Sequence, residues 1–543
     1  MKETIKRVDY VKLTVFLLLS LTAVLGFNLI EYRRFLGGNI KSGLILVLFV
    51  LTLTLFCYFF CAYLSELIFV EREETLLSSS EAKRLFFVIA IIDILVLIIH
   101  YPGLGSWDTW YQISDYFNGT TTYVYNEGGG AIITSALNDH HPVFTTVLFS
   151  EFAKLGRALG DEVRGVFLYQ VLQILLFSYA FVRVISFIEY KSRIQKTLVE
   201  VFYIINPFLT YYAISMVKDA LYSVLFLLYF VSFLNILIEK DSKEDRILFC
   251  ISSLFMPLTK KTGIYIVLFS NLCLFLWSIT RKTGKKKKSM ILMNIAVPSF
   301  IMLVLLPKVL FPAFNVFSGG KQEVIATLLQ QSARVQIDHP NYYSEEEKEL
   351  LNKVFDFDNV RDLYDYGITD PVKNTYKLAS VTDNQLHEYY RLWLKTGLDH
   401  PMTYLRATAG TCAGFFSPTK KLTVYTNNVR YELTNNSFVR PFRIAYRKLY
   451  YYLYSLPGIS VLLTIVLYSW WIPCISFSYM IKKRGVITLV AFSPVIITLL
   501  TLIVSPYSFG RYALPLVMAA PLLALLHNKD PLEVKGDVEK KTQ

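Results

Sequence analysis

An acidic residue and a later histidine pair lie in the loop that follows the third apolar segment. The loop starts Tyr101-Pro102-Gly103-Leu104-Gly105-Ser106-Trp107-Asp108 and runs on to Asp139-His140-His141-Pro142. The carboxylate of Asp108 is suited to act as a general base that takes a proton from an acceptor hydroxyl, or to bind a metal. The structural alternative is a helix start, with Ser106 or Asp108 capping an interfacial helix over residues 109–117.

The histidine pair leaves similar alternatives open. Adjacent histidines point in different directions on a helix, so His140 and His141 are poor joint ligands of one metal. One of them together with Asp108 or Asp139 is a workable donor set. Contact with a phosphate or with an acceptor is the favoured function, and the alternative is a helix start capped by Asp139. Binding of a divalent metal, Mg²⁺ or Mn²⁺, is left open.

Four basic residues stand at the ends of apolar segments on the predicted outer side of the membrane. They are Lys218, Lys260, Lys261 and Arg511. Lysine offers a phosphate a strong point charge, and the guanidinium of arginine binds it through two parallel hydrogen bonds. The alternatives are lysines that reach toward lipid headgroups, and an Arg511 anchored among aromatic residues. Ionisable groups at membrane depth are costly and mark sites.

These residues form one predicted site. We assign Asp108 as the catalytic residue. We assign donor-phosphate binding to Arg511, Lys260, Lys261 and Lys218. We assign acceptor or phosphate contacts to Asp139, His140, His141 and Tyr512.

Composition restricts the class of protein. The 543 residues are 54% hydrophobic and 15% aromatic, and only 18% are charged, against about 25% in soluble proteins. The net charge of +13 does not indicate nucleic-acid binding, because the basic residues cluster at helix ends, as in Lys285 to Lys288. The six cysteines show no disulfide or metal-ligand spacing. No P-loop or dinucleotide fingerprint is present, so a donor already activated in the membrane fits better than ATP.

The apolar segments predict an all-α polytopic membrane protein. Several reach the length of about 18 residues or more that a helix needs to cross a bilayer. We predict about 12 transmembrane helices. They lie near 12–32, 43–69, 85–101, 166–187, 197–216, 220–238, 245–258, 262–280, 289–313, 456–480, 485–505 and 511–527.

Lys and Arg in the short loops set the orientation. With both termini in the cytoplasm, the inner segments hold about 25 of these residues and the short outer connections about six. The chain then divides into an N-terminal transmembrane module (1–313) with an outer catalytic loop (102–165), a mostly helical extracytoplasmic domain (314–455), C-terminal transmembrane hairpins (456–527) and a cytoplasmic tail (528–543). A mobile lid over a membrane-facing pocket is the alternative for 314–455.

Five short motifs resemble those of the integral-membrane glycosyltransferases of the GT-C fold, which use polyprenyl-phosphate-linked sugars as donors. The chain is also similar to an uncharacterised bacterial family of polytopic membrane proteins often grouped near them. The motifs are Tyr101-Pro102-Gly103 with Asp108, Asp139-His140-His141-Pro142, Lys260-Lys261-Thr262-Gly263-Ile264-Tyr265, Gln330-Gln331-Ser332-Ala333-Arg334-Val335 and Gly510-Arg511-Tyr512-Ala513-Leu514-Pro515.

The resemblance implies roles for matching residues. In that fold an acidic catalytic residue lies in the first large outer loop, where Asp108 matches, and basic residues in later outer hairpins contact the lipid phosphate, as Lys260, Lys261 and Arg511 would. Two features depart from the pattern. Two spans precede the loop-bearing helix where many members have one, and no paired-acid motif accompanies Asp108, since the next acid is Asp115.

The sequence therefore predicts a glycosyltransferase in a bacterial cell membrane, active on the extracytoplasmic face. Its partners would be a polyprenyl-phosphate-linked sugar, a cell-envelope glycan or protein acceptor and membrane lipid. The alternatives are a transporter or flippase for lipid-linked glycans, and an oligosaccharide polymerase or ligase. The sugar, the acceptor and the stereochemical outcome are not readable from the sequence.

Overall fold

The computed structural model is built almost entirely of helices. It describes residues 9–35, 40–68, 77–119, 121–123, 131–133, 137–281, 283–317, 319, 321–378, 380–424 and 430–528. The helices of the first half are α1 (Tyr10–Tyr32), α2 (Ile40–Ile68), α3 (Ser79–Ile99), α4 (Trp107–Asn118), α5 (Val143–Ala158), α6 (Glu162–Phe187), α7 (Arg193–Ile205), α8 (Pro207–Ala213), α9 (Lys218–Leu237), α10 (Lys243–Thr259), α11 (Gly263–Thr280) and α12 (Lys285–Phe300).

The second half continues in the same way. A π-helical stretch (Ile301–Leu310) extends α12. It is followed by α13 (Phe311–Ala313), α14 (Gln322–Asp338), α15 (Glu345–Val354), α16 (Val360–Leu363), α17 (Asp370–Lys373), α18 (Asp383–Asp399), α19 (Pro401–Cys412), a 3₁₀ turn (Ala413–Phe415), α20 (Val439–Ser455), α21 (Ile459–Leu462), a π-helical turn (Leu467–Trp471), α22 (Ile472–Arg484), α23 (Ile487–Ile503), α24 (Gly510–Leu525) and a 3₁₀ turn (Leu526–Asn528).

Four very short strands occur in the described part of the chain. They are β1 (Leu104–Gly105), β2 (Thr121–Tyr123), β3 (Ala131–Ile133) and β4 (Ser215–Met216). Strands β2 and β3 pair antiparallel, whereas β1 and β4 pair parallel, with Leu104 opposite Ser215 and Gly105 opposite Met216. The β1–β4 pair joins the start of the loop before α4 to the residues just before α9.

Six helices of the described residues are long and apolar enough to cross a membrane. They are Tyr10–Tyr32, Glu162–Phe187, Lys218–Leu237, Gly263–Thr280, Lys285–Ala313 and Gly510–Asn528, and shorter apolar helices span Gly43–Phe59 and Ile487–Ile503. The chain is thus a helical membrane protein, as the apolar segments predict. The predicted number of about 12 spans is not confirmed.

Two predicted spans are wrong as single helices. Segment 197–216 breaks between α7 and α8, because Pro207 begins a new helix and the side chain of Asn206 accepts a hydrogen bond (3.1 Å) from the Phe208 amide. Segment 456–480 breaks after α21. There the Leu463 carbonyl accepts a hydrogen bond from the Leu422 amide (2.7 Å). This bond to a distant loop takes the place of a hydrogen bond within a helix.

Helix α9 is the centre of the membrane core. It is apolar around its whole circumference and buried along nearly its entire length, as expected for a helix enclosed by others. Its neighbours include α6, α10 and α24. The buried hydroxyl of Tyr229 donates to Asn271 Oδ1 (2.7 Å), so this polar atom is satisfied inside the core.

Helices α14 to α19 share a second hydrophobic cluster. It contains Leu329, Phe355, Phe357 and Tyr389, each almost fully buried. Helix α15 begins with a capping box of Ser344 and Glu347. The last helix of the predicted 314–455 domain packs differently, because Tyr450 of α20 joins the membrane core. The domain boundaries at 314 and 455 stay predictions.

Candidate functional site

Asp108 lies in the first turn of α4, and the fold holds that turn beside the start of α9. Ser106 caps the helix by accepting a hydrogen bond from the Thr109 amide (3.4 Å), so Ser106 and not Asp108 is the cap. The buried hydroxyl of Thr109 donates to the Met216 carbonyl (2.6 Å) in β4. The loop acid is therefore tied to residues more than a hundred positions later.

Two basic residues face the carboxylate of Asp108. Its Oδ2 lies 3.4 Å from Lys218 Nζ and 3.6 Å from Arg511 Nη1. Burial acts to raise the pKa of Asp108, but the positive charges of Lys218 and Arg511 outweigh it and hold the pKa well below its ordinary value. The side chain keeps 30% of its surface exposed. Asp108 is thus ionised and accessible to a ligand.

Asp219 is a buried carboxylate at the start of α9 that holds two of the predicted phosphate-binding residues. Its Oδ1 lies 2.7 Å from Lys260 Nζ, and its Oδ2 lies 3.8 Å from Arg511 Nε. Only 2% of its side chain is exposed. The sequence prediction assigned Asp219 no role. The signal for one was a Lys-Asp pair at the end of an apolar run, where a buried acid needs a partner.

The ammonium of Lys218 forms its close hydrogen bond with a neutral partner. Lys218 Nζ lies 2.8 Å from His141 Nδ1. An ammonium group has only donors, so Nδ1 accepts and the ring proton is on Nε2. Burial and the charge of Lys218 hold the pKa of His141 well below its ordinary value. The imidazole therefore fixes the position of Lys218 and leaves its charge uncancelled.

The neighbouring residues of the histidine loop have other partners. The rings of His140 and His141 lie 4.5 Å apart, and His140 Nδ1 is 4.0 Å from Glu323 Oε1 in α14. Asp139 Oδ2 pairs with Lys261 Nζ at 2.8 Å. The alternative in which Asp139 caps a helix is wrong, because α5 begins at Val143 with Pro142 as its capping residue.

Tyr512 forms part of the basic cluster. Its ring lies 4.5 Å from Lys260 Nζ and 5.3 Å from the guanidinium carbon of Arg511. A cation over an aromatic face is stabilised by the ring quadrupole. These contacts hold the two cations close together without adding a carboxylate.

The structure therefore brings all nine predicted site residues into one connected cluster. Around Asp108, Asp139 and Asp219 it places Lys218, Lys260, Lys261 and Arg511. Four cations face three carboxylates, and the closest partner of Lys218 is the neutral ring of His141. Cations that are not fully neutralised by these carboxylates favour the approach of an anion.

The donor set does not fit a metal on Asp108. A divalent cation needs several oxygen or neutral nitrogen ligands, but the groups nearest Asp108 are the positive side chains of Lys218 and Arg511. Within the part of the chain that the structure describes, no group of three or more His, Cys, Asp or Glu residues could hold a metal ion.

The segment before α14 locks the histidine loop in place. The Phe317 amide donates to the Leu137 carbonyl (3.0 Å), and the Asp139 amide donates to the Phe317 carbonyl (2.8 Å). A Cβ on Gly319 would lie 2.4 Å from the backbone nitrogen of His140, so only glycine fits this approach. The positions of His140 and His141 thus depend on the chain that enters the second hydrophobic cluster.

A family model matches residues 132–540, three quarters of the chain, and its description is "Family of unknown function (DUF6020)". The chain belongs to the DUF6020 family. The region that matches the DUF6020 model contains the histidine loop, all four basic residues of the cluster and Asp219. Asp108 lies before this region.

The DUF6020 chain is similar to the crystal structure of ArnT from Cupriavidus metallidurans bound to undecaprenyl phosphate. The sequence identity is 12% and the TM-score is 0.28, and the match covers 82% of this chain and 78% of that chain. No curated protein sequence matches the chain.

One motif behind the resemblance lies apart from this cluster. Arg334, in the Gln330–Val335 motif of α14, pairs with Asp338 one turn later, with 3.0 Å between Arg334 Nε and Asp338 Oδ1. Its guanidinium also lies 5.7 Å from the ring of Tyr364 and 5.5 Å from that of Tyr366. These contacts are internal to helices α14 to α19, and they account for Arg334 without a ligand.

Proposed function

We propose that the chain is a membrane glycosyltransferase that moves a sugar from a polyprenyl-phosphate donor to a hydroxyl of an extracytoplasmic acceptor. The observation that carries the proposal is the position of Asp108 Oδ2, 3.4 Å from Lys218 Nζ and 3.6 Å from Arg511 Nη1. A base placed beside cations suits a reaction in which a hydroxyl loses a proton while a phosphate gains charge.

In the proposed reaction Asp108 accepts the proton of the acceptor hydroxyl. The freed oxygen attacks the anomeric carbon of the donor sugar, and the bond from that carbon to the phosphate oxygen breaks. The bonding electrons leave with the phosphate, so the products are the glycosylated acceptor and polyprenyl phosphate. A positioned base contributes roughly 10²–10⁴-fold to the rate.

Lys218 and Arg511 stabilise the departing phosphate. Without a donor, their charges are directed at Asp108 and make it a weak base, since they depress its pKa. A phosphate that takes over these contacts removes that effect and raises the basicity of Asp108. Donor binding therefore prepares the base as well as the leaving group.

The membrane placement of the site supports a lipid-linked donor. Lys218 and Arg511 lie in the first turns of α9 and α24, two helices long and apolar enough to span a bilayer. A phosphate held there has its polyprenyl chain within reach of the hydrocarbon region. The distribution of Lys and Arg supports a site on the extracytoplasmic face, with both termini cytoplasmic.

The test uses the full-length protein in lipid nanodiscs with a radiolabelled polyprenyl-phosphate hexose and a cell-envelope fraction as acceptor. We expect labelled acceptor with the natural chain, and a loss of roughly 10²–10⁴-fold with Asp108→Asn. The control is Asp115→Asn on the same helix, where the new amide still accepts the bond from Asn138 (3.2 Å). Its activity should match that of the natural chain.

Three outcomes would contradict the proposal. Full transfer activity in Asp108→Asn would remove the base from the mechanism. Movement of the intact labelled lipid between leaflets without transfer would favour the flippase, in which the same residues hold the headgroup and no bond is made. Long labelled products would favour a polymerase or ligase over a single-sugar transferase.

A further inference from the structure

Helix α20 is an amphipathic helix anchored to the protein by one face only. Tyr450 is buried in the membrane core and donates a hydrogen bond to the Leu422 carbonyl (2.9 Å). Arg443 donates to the Thr434 carbonyl (2.8 Å) from the same side of the helix. The remaining faces of α20 are open to the surroundings.

A stripe of large apolar side chains runs along one open face. Phe438 is 74% exposed, Phe442 is 55% exposed, Leu449 is 54% exposed and Tyr452 is 59% exposed. Their spacing of four, seven and three residues places them in one row of a helix. An exposed row of this kind on a membrane protein matches the acyl boundary of a bilayer, where phenylalanine, leucine and tyrosine are stable.

A basic groove lies beside this stripe. It has a volume of about 580 Å³, and its lining includes Arg440, Ile444 and Lys448, which stand one turn apart on the helix. Asn435 and Ser437 add polar groups from the preceding segment. Helix α20 contains four basic residues and no Asp or Glu. The groove therefore offers two cations and hydrogen-bonding side chains around an apolar middle.

We propose that this groove binds the phosphate headgroup of an anionic membrane phospholipid, while the apolar stripe lies among the acyl chains. The positive charges of Arg440 and Lys448 complement the negative phosphodiester of the lipid. The apolar side chains of Phe442 and Leu449 lie deeper, where the acyl chains begin. The lipid is a structural neighbour from the bilayer. None of the residues that line the groove belongs to the cluster around Asp108, and the proposal does not depend on the transferase reaction.

The first test measures lipid affinity with delipidated full-length protein in detergent. Dihexanoyl phosphatidylglycerol is titrated against dihexanoyl phosphatidylcholine, and binding is followed as a rise in melting temperature. We expect the anionic lipid to bind more tightly. Arg440→Gln and Lys448→Gln should each weaken its binding about fivefold. The matched control is Arg447→Gln, which removes the same charge from the same helix outside the groove.

The second test is independent of the variants. Phosphatidylglycerol with a photoreactive headgroup, placed in nanodiscs with the natural protein, should crosslink to residues 435–448. Equal binding of the two lipids, equal losses in all three variants, or crosslinks only elsewhere would each overturn the proposal. Melting temperatures measured without lipid show whether each variant is folded. If a variant is not folded, the crosslinking of the natural protein decides the question.

Discussion

Lys218 Nζ lies 2.8 Å from His141 Nδ1 and 3.4 Å from Asp108 Oδ2, so its closest partner is a neutral ring and its carboxylate is more distant. Lys260 and Lys261 differ, because each lies within 2.8 Å of a carboxylate oxygen. A neutral acceptor directs an ammonium group without cancelling its charge. Lys218 is therefore better prepared than Lys260 and Lys261 to meet an incoming phosphate.

The first prediction compares Lys218→Gln with Lys261→Gln. Each change removes one positive charge, but Lys261 is already neutralised by Asp139 and its side chain is 47% exposed. We expect Lys218→Gln to weaken binding of polyprenyl phosphate about 10- to 100-fold, the range for a lost charge-assisted hydrogen bond. Lys261→Gln should weaken it much less. Calorimetric titration of both variants measures this, and equal losses would show that only the net charge matters.

The second prediction concerns Asp219→Asn. This change leaves Lys260 and Arg511 without their buried carboxylate, and removing one partner of a buried ion pair costs about 3–5 kcal/mol. We expect a lower melting temperature and a loss of activity. The double variant Asp219→Asn with Lys260→Gln should recover part of the stability, because it no longer buries the unpaired ammonium of Lys260.

The control for that prediction is Asp383→Asn. Asp383 pairs with Lys321 at the surface, with 80% of its side chain exposed. Exposed pairs contribute little, so the melting temperature should not change. If Asp219→Asn behaves like Asp383→Asn, Asp219 does not hold the cations in position.

The third prediction follows from His141 and its charged neighbours Lys218, Asp108, His140 and Arg511. The pKa of His141 is held well below its ordinary value of 6.5. Below pH 6.5 the unfolded chain therefore binds a proton at His141 that the folded chain does not bind, and stability falls as the pH drops toward the folded pKa. Stability present at neutral pH is thus lost on acidification.

His141→Asn tests this directly. Asparagine keeps an acceptor near the position of Nδ1 and cannot titrate, so Lys218 stays in place. Between about pH 7 and pH 5 the melting temperature of the natural chain should fall more steeply than that of the variant. His140 is present in both proteins, so its own titration contributes to both curves. Parallel curves would mean that His141 is protonated alike in the folded and unfolded chains.

The fourth prediction concerns Gly319→Ala. The added methyl would lie 2.4 Å from the His140 nitrogen, so the histidine loop must shift and move His141 away from Lys218. We expect weaker polyprenyl-phosphate binding in a protein that still inserts into the membrane. Gly367→Ala is the matched control, because the nearest atom to its new methyl is 3.6 Å away. Equal affinity in both variants would show that the loop tolerates the shift.

Part of the candidate site was readable from residue types. A charged side chain at the end of an apolar segment is conspicuous because hydropathy is a local property, and Asp108, Lys218 and Arg511 stand out on that ground. Hydropathy also predicted segments 197–216 and 456–480 as single continuous helices, and this was wrong. There a proline and a loop hydrogen bond interrupt runs of apolar residues that hydropathy alone reads as unbroken.

The sequence by itself determined a helical membrane protein with ionisable residues at the ends of its apolar segments, because bilayer thickness and the cost of buried charge act on each segment separately. The tertiary structure decided which charge meets which partner. Lys260 pairs with Asp219 and Lys218 bonds to His141, and these contacts between residues 41 and 77 positions apart depend on how α9 packs against its neighbours. No periodicity along the chain encodes that choice.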